Sequence, residues 1–360
     1  MDQSVFSVIT GTGRYLPKIV VKNQGFARHE FYSPSGEKIT HPNEEIIQKF
    51  REITEIDERQ YVDDDQVTSD IGYLAAEQAI SSSGIDKETL DYIIVAHNFG
   101  DVRRDNPQTD MVPTIAARIK YKLGISNPFT VAYDLPFGCP GWLQALIQAD
   151  YYIRSGDAKK ILVIGAETLS RVSDPHDRDS MIYSDGAGAV VVEAVSSNEP
   201  VGIITHISRS DTIQHAHLLN MGPSNNPDFD QRRLFLKMEG RKLYEYALST
   251  VPQLVKDCMD KARLAIHNIK KVLIHQANMK MDDAILSRIF RLYDIRKAPA
   301  GIMPMTIAKF GNNSVATLPI LLDMILKGKM EAHEIVSGDY LIFASVGAGM
   351  NCNAMVYRMA

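Results

Sequence analysis

The sequence predicts an α/β protein with largely buried sheets, and it hints at two halves of shared topology. Three observations carry that reading. Apolar runs of strand length recur along the chain: IIVA at 93–96, ILVIG at 161–165, GAVVVEA at 188–194, VLI at 272–274 and LIFASVG at 341–347. Helical patterns lie between them, and strands alternating with helices are the pattern of α/β proteins. Finally, YIIVAHN near residue 93 resembles KVLIHQAN near residue 272, an offset of 179, while KKILVIG and DYLIFAS align Ile161 with Leu341 at an offset of 180. Two strand pairs at nearly one offset point to an internal repeat. The competing explanation is that apolar strands resemble one another by chance.

In chain order, TGTGRYLP at 10–17 reads as a strand followed by a turn. The polar, Pro- and Gly-marked stretch 27–48 reads as an inserted loop. TSDIGYLAAEQAISSSG at 68–84 is the first long helical pattern and precedes the strand at 93–96. GWLQALIQADYYIRSG at 141–156 is the second and precedes the strand at 161–165. SDGAGAVVVEA at 184–194 is Gly-rich, but it opens a strand rather than a helix and is not GxGxxG. It therefore predicts close backbone packing, not a phosphate loop. RKLYEYALSTVPQLVKDCMDKA at 241–262 is the third helical pattern and leads to the strand at 272–274. SVGAGMNCN at 345–353 is a small-residue turn able to present backbone N–H groups or to permit tight packing.

Composition bounds the function. A chain of 360 residues can bury a sizeable core without disulfides. Its three cysteines, Cys139, Cys258 and Cys352, are too few and too scattered for a disulfide framework or a CxxC zinc site. No apolar run reaches the ~18 residues of a membrane span. The N-terminal stretch lacks the pattern of a signal peptide, so a reduced, cytoplasmic protein is expected. A net charge of −5 from 39 basic and 44 acidic residues argues against a dedicated nucleic-acid binder.

The most informative stretch is YDLPFGCPGWLQALIQAD at 133–150. Cys139 lies between Gly138 and Pro140, directly ahead of a helical pattern. Proline favours the first helical position, so Cys139 is expected at the cap. The helix dipole there contributes ~0.3–1 kcal/mol, about one pKa unit at most at ~1.36 kcal/mol per unit. From ~8.5, a second cationic or donor neighbour is needed for a well-populated thiolate. Small flanking residues would admit a substrate carbonyl, with a backbone N–H for its oxygen. The alternative is a buried structural cysteine, which is the expectation for Cys258, inside a helical pattern, and for Cys352, near the last strand. His275 ends an apolar run and opens the polar HQAN, at the end of a strand, where α/β sites are built. A structural histidine is the competing reading. GNNS at 311–314, taken alone, is a turn.

Cys139, His275 and Asn312, in this order and these contexts, resemble the β-ketoacyl-acyl-carrier-protein synthase III family of the thiolase superfamily. The similarity runs from GTGRYLP through TEIDERQYV and SGIDKETLDYIIVAH to SVGAGMNCNAMVYR, and its specific motifs are FGCPGW, DPHDR, SDGAGA, HQAN and FGNNS. It implies the thiolase fold: two related halves, 1–195 with the cysteine and 196–360 with the histidine and asparagine, layered αβαβα, and usually a homodimer. It also supplies a cause for the repeat. Residue by residue, Cys139 matches the acylated nucleophile, His275 the HQAN histidine and Asn312 the asparagine after glycine. Asn313 replaces a common threonine and is not expected in the chemistry. The Cys139 and Ala348 backbone N–H groups match the oxyanion donors.

The activity so implied is a decarboxylative Claisen condensation. An acyl thioester acylates Cys139, malonyl-acyl carrier protein loses CO₂, and the enolate attacks the acyl group. No metal or redox cofactor is required. The substrates are thioesters of coenzyme A or acyl carrier protein, and the carrier protein is the expected partner. Arg178 of DPHDR matches an arginine of the family's adenine site, Lys280 matches a carrier-contacting position, and Trp142 is a candidate for substrate or carrier contact. Arg232 and Arg233 are carrier candidates from charge alone. The sequence departs from the family where coenzyme A users commonly carry a Trp and an Arg; Lys49 and Ile53 stand there. The nearest alternative is a secondary-metabolism condensing enzyme or acyltransferase acting on longer acyl or β-ketoacyl chains. A catalytically silent thiolase-fold partner is a third reading. Without the resemblance, a Cys-His-Asn hydrolase would compete.

Overall fold

Two sheets frame the molecule in the computed structural model, which describes residues 4–360. The first contains β1 (Ser4–Tyr15), β2 (Tyr92–Ala96), β3 (Val131–Leu135), β4 (Lys160–Thr168) and β5 (Asp185–Ser197), in the order β1-β5-β4-β2-β3. β1, β5 and β4 pair antiparallel, while β4, β2 and β3 run parallel. The second contains β6 (Gly202–Ser210), β7 (Ile269–Ile274), β8 (Tyr340–Gly347) and β9 (Asn351–Arg358), in the order β6-β9-β8-β7. Its pairings repeat the pattern: β6, β9 and β8 antiparallel, β8 and β7 parallel. The offset pairs therefore have a structural basis. Ile93 and Val272 lie on the equivalent strands β2 and β7, and Ile161 and Leu341 on the equivalent strands β4 and β8.

Seven helices complete the frame: α1 (Asn43–Thr54), α2 (Thr68–Ser83), α3 (Ile115–Lys122), α4 (Gly141–Ser155), α5 (Gly240–Ala262), α6 (Met279–Arg291) and α7 (Thr317–Leu326). Strand side chains alternate between faces. On β2, Ile93 and Val95 pack with Ile71, Ala75 and Ile119 of α2 and α3. Ile94 and Ala96 point the other way, toward Leu143 and Leu146 of α4 and Leu318 and Leu322 of α7. On the second sheet, Val272 and Ile342 pack with Val251, Val255, Ile285 and Ile289 of α5 and α6. Leu273 and Phe343 face the α4–α7 layer. The layers are αβαβα. Because both faces of each sheet are covered, the strands read as continuous apolar runs. Because α7 lies between two sheets, it is apolar nearly all round.

The expected elements are present with small boundary shifts. Strand β1 begins at Ser4, six residues ahead of the expected run. The expected loop 27–48 is irregular only as far as Pro42; its last residues start α1, with Glu44 and Glu45 in the favourable first turn. Strands β3, β6 and β9 carry mixed polar and apolar patterns that gave no strand signal. The Gly-rich opening of β5 packs closely as expected, since a Cβ on Gly188 would lie 2.7 Å from Pro319 Cβ at the start of α7. A buried carboxylate ties β1 to α7. Asp323 accepts from Thr12 Oγ1 at 2.7 Å, pairs with Arg14 and lies 2.7 Å from Lys327 Nζ. Among the described residues no helix is long and apolar enough to cross a membrane.

Candidate active site

The C-terminal ends of parallel strands from both sheets converge, and the loops leaving them build the site. Cys139 follows β3. It sits one residue further from the helix than expected: Pro140 is the N-cap and α4 starts at Gly141. The turn is pressed against the end of β8. Gly138 has φ +65, and a Cβ there would lie 2.7 Å from the Ala348 nitrogen. A Cβ on Gly347 would lie 2.5 Å from the Cys139 nitrogen. Neither position has room for a side chain. Asn353 Nδ2 on β9 donates to the Pro140 carbonyl at 3.2 Å, and Asn351 Nδ2 donates to the Ala348 carbonyl at 2.8 Å.

His275 leaves β7 with its backbone N–H bonded to the Ala344 carbonyl at 2.9 Å. Its ring is buried, and Nδ1 has no partner. Burial lowers its pKa to about 4, with a hydrogen bond to the Ser314 backbone opposing. The other HQAN residues have separate work. Gln276 Oε1 accepts from the backbone N–H groups of Thr306 and Ile307, and Asn278 caps α6 by accepting from Met281 N–H at 3.2 Å. The Gln276 bonds hold the segment that leads into GNNS. There, Asn312 Oδ1 accepts from Ser314 N–H at 2.8 Å, which leaves its NH₂ to serve as the donor. Asn312 N–H and C=O bond with the Ile182 carbonyl and Ser184 N–H, locking the turn to β5. Asn313 turns away and donates to the Asp185 carbonyl at 2.9 Å.

Three residues beside the cysteine escaped the sequence reading. Ser314 takes φ +52, a conformation costly for a residue with a Cβ, and its Oγ lies 3.6 Å from Cys139 Sγ. Glu167, buried at the end of β4, has Oε2 3.4 Å from the same Ser314 Oγ. Asn98, after β2, donates to Glu167 from Nδ2 at 2.7 Å and from its backbone at 3.1 Å. The one sequence signal was position: a lone carboxylate ending ILVIGAE and a lone amide following IIVAH. Burial pushes the Cys139 thiol up to about 11, against the hydrogen bond from Ser314, and the Glu167 charge adds to the rise. This reverses the lowering expected from the helix dipole, because desolvation of the thiolate outweighs a dipole one residue further away. Burial also raises Glu167 to about 6.

Cys139, His275 and Asn312 line one cleft of about 1460 Å³. Lys49 and Ile53, one turn apart on α1, line it together with Arg178. Lys280 is exposed in the first turn of α6, next to the lining residue Met281. Trp142 is a correction. It is 1% exposed and packs on Phe343 in the α4–α7 layer, so it touches neither substrate nor carrier. Its position three residues after Cys139 puts it on the core face of α4. Tyr183, unremarked in the sequence, lines the cleft with a buried hydroxyl that has no partner. Cys258 and Cys352 lie in the packed core of the second half. Arg232 pairs with Asp230, and Arg233 stacks over Phe235.

Residues 133–211 match the family model described as 3-oxoacyl-[acyl-carrier-protein] synthase III, and residues 259–359 match the model of that family's C-terminal part. The β-ketoacyl-[acyl-carrier-protein] synthase III of Staphylococcus aureus strain JH1 is 31% identical over 352 residues, covering 97% of this chain and 98% of the relative. The crystal structure of 3-oxoacyl-[acyl-carrier-protein] synthase III from Aquifex aeolicus VF5 is similar with a TM-score of 0.78 and 28% identity, covering 98% of this chain and 99% of that one. The priming β-ketosynthase of the R1128 polyketide pathway, 23% identical with a TM-score of 0.80, covers 99% of this chain and 97% of its own and shares the fold.

The buried imidazole makes a direct prediction. His275 should stay neutral from pH 9 down to pH 5, since burial holds its pKa at about 4. Its ring resonances, followed by NMR, should not move over that range. A midpoint near the ordinary ~6.5 would contradict the site described.

Proposed function

The chain belongs to the 3-oxoacyl-[acyl-carrier-protein] synthase III family, and from that premise we propose how its own residues perform the condensation. It is a condensing enzyme, a transferase that joins an acyl thioester to malonyl-acyl carrier protein with loss of CO₂ to begin a fatty-acid chain. One observation supports the site assignment above others: Cys139, His275 and Asn312, from both halves of the chain, line the same cleft.

In the first half-reaction Cys139 Sγ attacks the acyl thioester, and the acyl group transfers to the cysteine. The tetrahedral oxygen lies between the Cys139 and Ala348 N–H groups, brought close by Gly138 and Gly347. In the second, the malonyl thioester loses CO₂. His275, neutral at working pH, gives one N–H, and the Asn312 NH₂ gives another, to the enolate oxygen. A charged imidazolium would quench the carbanion by protonating it; a neutral ring stabilises the oxygen and leaves the carbon free to attack the acyl group. The chain divides between the end of β5 at Ser197 and the start of β6 at Gly202, a few residues beyond the expected 195/196, which falls inside β5, into the half that holds the acyl group and the half that handles the malonyl unit.

The mouth of the cleft supports a carrier preference. Lys49 and Ile53 offer no aromatic ring to an adenine, although Arg178 stands nearby. Base stacking on an aromatic side chain is worth ~1–3 kcal/mol in single-strand nucleic-acid sites, so coenzyme A donors lose that anchor. Acyl groups on carrier protein are then the better donors, with Lys280 at the rim meeting the acidic carrier. The protein works in the cytoplasm as a homodimer. β3 is an edge of the first sheet, and its first residue Val131 and the preceding Phe129 are exposed. An apolar edge of this kind needs cover.

Each part of this reading has a measurable outcome. Incubation with an acyl thioester should add one acyl mass per chain, on the peptide containing Cys139. His275→Ala and Asn312→Ala should keep that label yet lose ~10²–10³-fold in condensation; wild-type condensation by either variant contradicts the roles. The same acyl chain should reach Cys139 roughly ten-fold faster from carrier protein than from coenzyme A, and Lys280→Glu should raise KM for malonyl carrier protein most at low salt. Faster transfer from coenzyme A, or an unchanged KM, contradicts the reading of the mouth. Light scattering after gel filtration should return twice the 40.1 kDa chain mass; a monomer at micromolar concentration rules out the dimer.

A further inference from the structure

Acylation of Cys139 requires an acceptor for the thiol proton. Burial pushes that thiol up to about 11, so the thiolate is scarce at neutral pH. His275 is a poor acceptor, because its buried ring takes a proton only near pH 4. The side chain hydrogen-bonded to the sulfur is Ser314. Its Oγ stands 3.6 Å from Cys139 Sγ and 3.4 Å from Glu167 Oε2. The backbone holds it there at φ +52, anchored by the Ser314 N–H bond to Asn312 Oδ1. Glu167 is fixed in turn by Asn98 through its amide and its backbone N–H. No lysine or arginine pairs with Glu167 among the described residues. A buried carboxylate two contacts from a nucleophile is a costly arrangement unless it has work to do, since burial outweighs the opposing influence of His97 and the Asn98 hydrogen bonds.

We infer that Ser314 and Glu167 form a proton path out of Cys139. As Cys139 Sγ attacks the thioester carbonyl carbon, its proton passes to Ser314 Oγ, and the Ser314 hydroxyl proton passes to Glu167 Oε2. One carbon–sulfur bond forms. When the tetrahedral intermediate collapses, the carbon–sulfur bond to the carrier breaks. Glu167 returns one proton along the same path to the departing thiolate. Cys139 ends acylated, Ser314 neutral and Glu167 ionised, with no net change in protons or electrons. Contacts somewhat longer than ideal are usual before substrate binds. The titratable groups facing Glu167 are Cys139 and His97, whose Nε2 lies 3.0 Å from Asp134 Oδ2 on β3. Glu167 also has the charge behaviour a base near neutrality needs, being raised to about 6 by burial.

This path rests on the condensing-enzyme reading, and the rate of Cys139 acylation against pH tests the two separately. In the wild-type protein the rate should rise through about pH 6, as Glu167 ionises, and then level off. Glu167→Gln should be about 100-fold slower at pH 7. Its rate should climb about ten-fold per pH unit toward the thiol's own ionisation, with no break near pH 6. Glu167→Asp should restore the break. Ser314→Ala, which leaves the Asn98–Glu167 bonds in place, should behave like Glu167→Gln and keeps the test open if that variant does not fold. A break near pH 6 that survives in Glu167→Gln, at any rate, overturns the path. A wild-type protein that takes up no acyl group overturns the condensing-enzyme reading, and the path with it.

Discussion

The contact between the Cys139 turn and the end of β8 governs the rest of the molecule. Two backbones pass so closely that a methyl group on either Gly138 or Gly347 would overlap the other chain. That contact joins the half carrying the nucleophile to the half carrying His275 and Asn312. It also brings the two backbones together at their nitrogens, since a Cβ on Gly347 would lie 2.5 Å from the Cys139 nitrogen and one on Gly138 2.7 Å from the Ala348 nitrogen. The surrounding architecture keeps it in register. Helices α4 and α7 fill the space between the sheets with Leu143, Leu146, Leu318 and Leu322. Asn353 and Asn351 pin each side of the contact from β9.

Burial gives the site its charge states. Desolvation raises the thiol and lowers the imidazole, so both favour their uncharged forms, although Cys139 itself is only half-buried. Neutral donors suit an enolate, which needs its oxygen stabilised and its carbon left reactive. The same exclusion of water makes the resting cysteine inert and leaves it dependent on neighbours. Glu167, raised but still ionisable near neutrality, brings a negative charge close to the sulfur. Its distance through Ser314 keeps that charge from facing the substrate carbonyl directly.

The mouth follows different rules because it is wet. Lys49, Ile53 and Arg178 lie on the rim of the cleft, where side chains can change without disturbing the core. Trp142 shows the converse. Its ring is committed to the α4–α7 layer against Phe343, and its place three residues after the nucleophile reflects packing rather than recognition.

Much of this was legible in the sequence. Strands buried on both faces show themselves as continuous apolar runs, so β2, β4, β5, β7 and β8 stood out, and a topology used twice left a repeat near 180 residues. Cys139 was legible from its place ahead of a helical pattern and His275 from its place at a strand end, whereas Asn312, a turn residue when taken alone, was legible only through the family resemblance. Strands β3, β6 and β9 were not, since their mixed patterns are stabilised by neighbours rather than by periodicity. Nor could the sequence place Trp142, whose aromatic character suits a core and a binding surface equally. Ser314 and Glu167 are 147 residues apart, and nothing local links them. Only the packing of two sheets brings them to one sulfur, and only burial, a property of the assembled fold, decides whether that thiol, the imidazole and the carboxylate carry charge.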